Sequence, residues 1–125
     1  MTEFSFDANI LIDALAGFEA ARTEIRTATS GRQAWISRIV WIEVLSKGSA
    51  PTLQGAIDFM AGFGMDELDQ PIAERAAELR RERSRFKLAD SVILATAQLR
   101  GRTLVTRNTK DFPAGMPGIR VPYTI

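Results

Sequence analysis

LADSVILATAQLRGRTLVTRNTKDF, residues 88–112, is the stretch whose reading decides the fold. Asp90 stands where an early helix residue would. Val92, Ile93, Leu94, Ala95, Ala97 and Leu99 after it are dense enough for a helix buried on most sides. Gly101 supplies the glycine that commonly ends a helix. Thr103 to Thr106 then reads as a short buried strand, with residues 108–111 directly at its carboxyl end. A strand antiparallel to the preceding helix returns the chain to that helix's N-terminus, so Asp111 is expected to finish near Asp90. Ligand sites in open α/β sheets lie at the carboxyl ends of strands, and these two acids are therefore the first candidates for a site.

Working outward, the whole chain of 125 residues is the size of one domain, residues 1–125, with a single core. An apolar fraction of 46% and a charged fraction of 25% fit a globular protein and exclude disordered and fibrous classes. There is no cysteine, which removes disulfides and thiolate chemistry. There is no histidine either, which removes the commonest general base, every Ser-His triad and nearly every transition-metal site. Hydrolytic chemistry here has to rest on carboxylates, which suit hard cations such as Mg²⁺ and Mn²⁺. The N-terminal stretch MTEFSFDANILID is acidic and unlike a secretory signal. No apolar run approaches a membrane span, so a cytoplasmic protein without membrane contact is expected. The net charge of +1 is unevenly spread. Residues 1–74 carry 5 Lys and Arg against 11 Asp and Glu, net −6; residues 75–125 carry 11 against 4, net +7. Such asymmetry marks either a nucleic-acid-binding half or simply solvated helix faces.

From the N-terminus, Phe4-Ser5-Phe6 predicts a first strand closed by Asp7, before a helix over Asn9 to Leu15. Asp7 and Asn9 are candidates for a strand-end site, although taken alone a plain N-cap is the usual role of such residues at this junction. Asp13 is expected to face solvent or be paired locally. An amphipathic helix follows over Phe18 to Thr29, then a strand over Ala34 to Ser37 and a helix over Arg38 to Lys47. In that helix Glu43 lies among Ile39, Val40, Trp41, Ile42, Val44 and Leu45, where a lone buried carboxylate needs a cation or donor unless it sits on the exposed edge. Gly48 to Pro51 reads as a helix stop and new start, Thr52 to Gly64 as a helix weakened by glycine, and Met65 to Leu68 as a third strand. Asp69-Gln70-Pro71 opens a helix whose end is crowded by Arg80, Arg81, Arg83, Arg85 and Lys87. These cations complement the helix dipole or contact phosphate. Ile119 to Val121 is a candidate edge strand limited by Pro122. Alternating strands and helices of this kind predict an α/β domain with a mainly parallel central sheet flanked by helices.

The pattern D-S-x-I-x-A-x-A from Asp90, followed by L-V-T-x-N-x-x-D-F ending at Phe112, resembles the end of PIN-domain nucleases and most closely the VapC-type toxins. Asp7-Ala8-Asn9 near the start and Glu43 on a mid-chain helix complete that family's four-acid set. The resemblance implies a PIN-like domain in which Asp7, Glu43, Asp90 and Asp111 are the catalytic and metal-holding residues. It further implies that Asn9, Ser37, Thr106 and Asn108 hydrogen-bond the acids or water; Arg107, inside the last motif, is a candidate phosphate contact that the match does not require. The activity implied is that of a Mg²⁺-dependent endoribonuclease, with Mn²⁺ as an alternative ion. The implied partners are an RNA substrate, a VapB-like antitoxin and a second copy in a homodimer. D-A-N replaces the commoner D-T-N or D-S-N, which removes a hydroxyl but no metal ligand. Four clustered carboxylates raise one another's pKa values until a cation relieves them, and the ion would activate a water and stabilise charge on the phosphate.

Other classes fit less well. A receiver domain needs an acidic pair after its first strand, and a haloacid-dehalogenase-like phosphatase needs D-x-D where position 9 is Asn. A housekeeping RNA-processing nuclease of the same fold and a silent PIN binding module remain as alternatives. Trp35, Trp41, Phe59, Met60, Phe63 and Met65 are many large side chains for one small core, and either all are core or some line a partner groove.

Overall fold

The computed structural model describes residues 2–47, 51–113 and 115–125. The expected helix stop and restart at Gly48–Pro51 lies outside the described residues, apart from Pro51 itself. Strand β1 (Phe4–Phe6) leads through Asp7 into helix α1 (Ala8–Leu15), and α2 (Glu19–Ser30) leads to β2 (Ala34–Ser37) and α3 (Arg38–Lys47). After α4 (Leu53–Met60) come β3 (Gly64–Asp66), α5 (Gln70–Glu82), α6 (Leu88–Arg100), β4 (Thr103–Val105) and β5 (Ile119–Arg120).

The sheet runs in the order β3-β2-β1-β4-β5 with every pairing parallel. From β1 the chain winds to β2 and β3 on one side, then crosses back to place β4 on the other. The strand order therefore reverses between β1 and β4, where open α/β sheets form their ligand crevice. β1 is central and buried on both faces, as short parallel strands under helices are. Phe6, Ile10, Leu11, Ile36, Val40, Ile93, Leu104 and Phe112 form the middle of the core.

Two element boundaries differ from the sequence reading. The helix expected to reach Gly64 ends at Met60, because Gly62 and Gly64 interrupt it and Gly64 opens β3 instead. β3 also starts and stops earlier than expected. Gly64 is required there by close approach: a Cβ on it would lie 2.4 Å from the ring of Trp35, its partner in β2. Of the six large side chains singled out above, Met60 and Phe63 are buried, whereas Trp35, Trp41, Phe59 and Met65 are only partly covered.

Candidate active site

Asp7 follows the last residue of β1 and is the N-cap of α1, its Oδ1 accepting from the Ala8 N–H at 2.7 Å. The cap and the site are thus the same residue. Oδ2 accepts from Thr106 Oγ1 at 2.7 Å and from Asn9 Nδ2 at 3.2 Å. Thr106 comes directly after β4, paired in register beside β1, so adjacent strand ends bring together residues ninety-nine positions apart. The Thr106 hydroxyl also accepts from the Asn108 N–H at 3.0 Å. Asn108 Nδ2 then donates to Asp111 Oδ2 at 3.0 Å, and the Asp111 N–H returns a bond to Asn108 Oδ1 at 3.3 Å. A continuous hydrogen-bonded path therefore runs from Asp7 through Thr106 and Asn108 to Asp111.

Asp90 lies in the first turn of α6, buried, with Oδ2 lacking any hydrogen-bond partner among the described residues. Burial, then the negative charges of Asp7, Asp111 and Glu43, push its carboxyl up to about 7. Asp7 is also raised, chiefly by burial, against the lowering effect of its bonds to Thr106 and Ala8. Glu43 reaches the site from α3 and is partly covered, with Oε2 accepting from Lys47 at 3.2 Å one helical turn on. Asp7, Asn9, Glu43, Asp90 and Asn108 line one cavity of about 290 Å³. Asp111 lines the next cavity, where Asn108 orients it. As the side chains are placed, no three acids among the described residues stand close enough to hold an ion between them. The site is a gathered set of carboxylates, not a closed cage.

Ser37 and Arg107 are engaged elsewhere. Ser37 is buried at the end of β2 and its Oγ accepts from the Val40 N–H at 3.4 Å, in the first turn of α3. Arg107 turns its guanidinium onto Asp13, with Nε to Oδ2 at 2.6 Å and Nη2 to Oδ1 at 3.1 Å. Tyr123 donates to the same Asp13 at 2.8 Å. In place of the expected surface position or local pair, Asp13 is buried, and its side-chain partners lie 94 and 110 residues further along the chain. Burial and the bond to Asp13 raise the Tyr123 hydroxyl well above its ordinary value.

Carboxylates from β1, α3, α6 and the loop after β4 meet at the switch point of the sheet, and the sequence matches the model of the PIN domain over residues 5–114. This chain belongs to the PIN-domain family. Among solved structures, a chain of a toxin–antitoxin complex from Klebsiella pneumoniae is 41% identical, over 98% of this chain and 100% of its own, with a TM-score of 0.88. A chain of DNA-bound VapBC from Salmonella typhimurium is 27% identical over 96% of each chain, with a TM-score of 0.77. One of FitAcB from Neisseria gonorrhoeae shares the fold at 19% identity over 95% of this chain and 97% of its own, with a TM-score of 0.75. No curated protein gives a significant match.

One residue beside this PIN domain's site, Lys47, escaped the sequence reading, whereas Lys87 was read only as part of a cation cluster. Lys47 and Lys87 both line the acidic cavity, and Lys87 pulls the Asp90 carboxyl downward against its acidic neighbours. The spacing of four between Glu43 and Lys47 is a legible helix pair, so Lys47 had a signal. Asp13 and Tyr123 had none, because their contact depends on where the C-terminal segment returns.

Proposed function

We propose that this PIN domain is a metal-dependent endoribonuclease acting as the toxin of a toxin–antitoxin pair. The observation that carries the chemistry is Asp90, buried with a free oxygen in the field of three other carboxylates, a state that a cation relieves. All-oxygen donors without His or Cys suit Mg²⁺ or Mn²⁺. Mg²⁺ keeps several waters and takes one or two carboxylates directly, so a closed cage is not required. Asp7, Glu43, Asp90 and Asp111 would hold the ion. It would supply an activated water and offset the charge growing on the scissile phosphate.

The remaining work falls to the chain's own groups. Thr106 and Asn9 fix the Asp7 carboxylate, and Asn108 fixes that of Asp111. The Lys47–Glu43 pair is an exposed contact within one helix, worth a few tenths of a kcal/mol, so a cation displaces it easily.

The toxin reading is supported by 41% identity, over 98% of this chain and 100% of the other, to a chain of a toxin–antitoxin complex. A VapB-like antitoxin and a cytoplasmic site of action follow from it. Phe59, Leu15, Ala14 and Ile25 line a recess of about 280 Å³ of the apolar kind that a partner segment covers. The purified chain should cleave RNA with Mg²⁺ or Mn²⁺ and stop in EDTA; undiminished cleavage in chelator overturns the metal role. Expression of the chain alone should arrest bacterial growth, and normal growth with intact nuclease activity would assign it to RNA maturation instead.

A further inference from the structure

A second cavity, of about 490 Å³, adjoins the acids and is lined by Arg83, Arg85, Phe86, Lys87, Lys110 and Pro113. We infer that it is the path of the RNA backbone into the site, holding the phosphates on one side of the scissile bond; this rests on the nuclease reading. Asp111 is among its lining residues, and Lys87 borders both this cavity and the acidic one.

Three observations separate this reading from ordinary surface charge. First, the four cations are exposed and, among the described residues, none has a carboxylate within salt-bridge distance. Arg26, Arg38, Arg75, Arg100, Arg102, Arg107 and Arg120 are all paired. Arg22, Arg32, Arg80 and Arg81 also lack a carboxylate partner among the described residues, but only Arg83, Arg85, Lys87 and Lys110 share one cavity, and that cavity is also lined by Asp111. Second, complementing a helix dipole does not account for it. α5 ends at Glu82, so Arg85 and Lys87 lie beyond it, and Lys87 is the N-cap of α6, the end where a cation opposes the dipole. A charge kept where it disfavours its own helix has another use. Third, the walls are held in place. Phe86 packs edge-on against Phe112 at 5.8 Å, joining the segment before α6 to the loop after β4. Arg80 Nε donates to the Phe86 carbonyl at 3.2 Å, and the Arg83 guanidinium lies 5.9 Å from the Phe86 ring centre. Cations along a fixed groove with an apolar floor fit a ribose-phosphate chain, and a volume near 500 Å³ accepts about one or two nucleotides.

The test uses the full chain in EDTA, so that binding is read without cleavage, and a fluorescently labelled single-stranded RNA in an anisotropy titration across salt concentrations. Arg85→Ala with Lys110→Ala should weaken binding roughly tenfold near 0.1 M salt and flatten the log–log salt slope by about 1.4, two phosphate contacts at about 0.7 each. Arg26→Ala, which removes one cation from the Glu19 pair, should leave both unchanged. Circular dichroism melts should match the parent, since both side chains are exposed. An unchanged slope in the double variant, or no RNA binding by the parent, overturns the groove. Equal, groove-dependent binding of polyglutamate also overturns it, showing a general anion surface. Cleavage assays with Mg²⁺ keep the two readings apart: cleavage that survives the double variant unchanged defeats the groove and spares the nuclease. RNA held in the groove but never cut defeats the nuclease and spares the groove.

Discussion

Asp7 serves α1 through one oxygen and the site through the other, so its neighbours rather than its own substitution are the cleaner probe. Thr106→Val removes the hydroxyl that holds Asp7 Oδ2 and receives the Asn108 N–H. Activity should fall roughly tenfold to a hundredfold, as for other residues that orient metal ligands, while a circular dichroism melt shows a fold still intact. Asp90→Asn should abolish cleavage and change the pH dependence of stability. The Asp90 carboxyl is raised from 3.8 to about 7 in the folded protein, so the folded state keeps a proton that the unfolded chain has released. That contribution is complete below about pH 4 and is lost as the pH rises through about 7. In metal-free buffer the variant's melting temperature should therefore gain on the parent's as pH rises, and added Mg²⁺ at pH 8 should raise the parent alone. A constant difference across pH would show that Asp90 acts mainly in the first turn of its helix. Asp90 and Asp111 were legible from a helix start and the loop after a strand, whereas Asp7 and Glu43 joined them only through the resemblance. Their hydrogen-bond partners were legible only through the resemblance, and the Asp13 network was not, since a buried aspartate looks like an exposed one until its distant arginine and tyrosine are placed.

Among the elements, β3 depends on what Trp35 leaves room for. The Trp35 ring lies against Gly64, its Nε1 donates to Glu3 at 3.2 Å, and the Arg102 guanidinium covers it at 3.9 Å. Arg102 in turn is bound to the buried Asp66. A ring held on three sides cannot retreat from a new methyl group. Gly64→Ala should lower stability by about 1–3 kcal/mol, measured by urea unfolding, with nuclease activity retained below the transition. The helices and strands with strong periodicity stood where the spacing put them, β2 and α3 to the residue. The α4–β3 boundary did not, because glycine weakens a helix without saying where the chain next finds a strand to pair with. Gly64 reads locally as a helix residue of low propensity; the Trp35 ring across the sheet makes it a strand residue.

At the scale of the molecule, the half-covered aromatic side chains and the recess around Phe59 leave apolar surface without a partner in the monomer. Light scattering of the purified chain should report a dimer, and an antitoxin segment that delivers a basic side chain to the acids should inhibit less as Mg²⁺ rises, because both answer the same charge. A strict monomer, or inhibition indifferent to Mg²⁺, would count against that arrangement. The split of charge between the two halves of the sequence becomes spatial here. Glu43 and Asp7 come from the acidic half, while Arg83 to Lys110 come from the basic half and meet them at the switch point.

The reversal of strand order has a consequence for the life of the chain on the ribosome. β1 acquires its second neighbour only when residues 103–105 have been made, and Asp90 and Asp111 come 47 and 68 residues after Glu43. At about 5–20 residues per second, several seconds separate the synthesis of Glu43 from that of Asp111. Until residue 90 is made the nascent chain carries two of the four acids, and until β4 is made it has no partner strand to hold Asp7 against Thr106. Synthesis therefore leaves the acidic set incomplete until Asp111 is made, and a message broken before codon 90 yields a fragment that carries only Asp7 and Glu43 of the four.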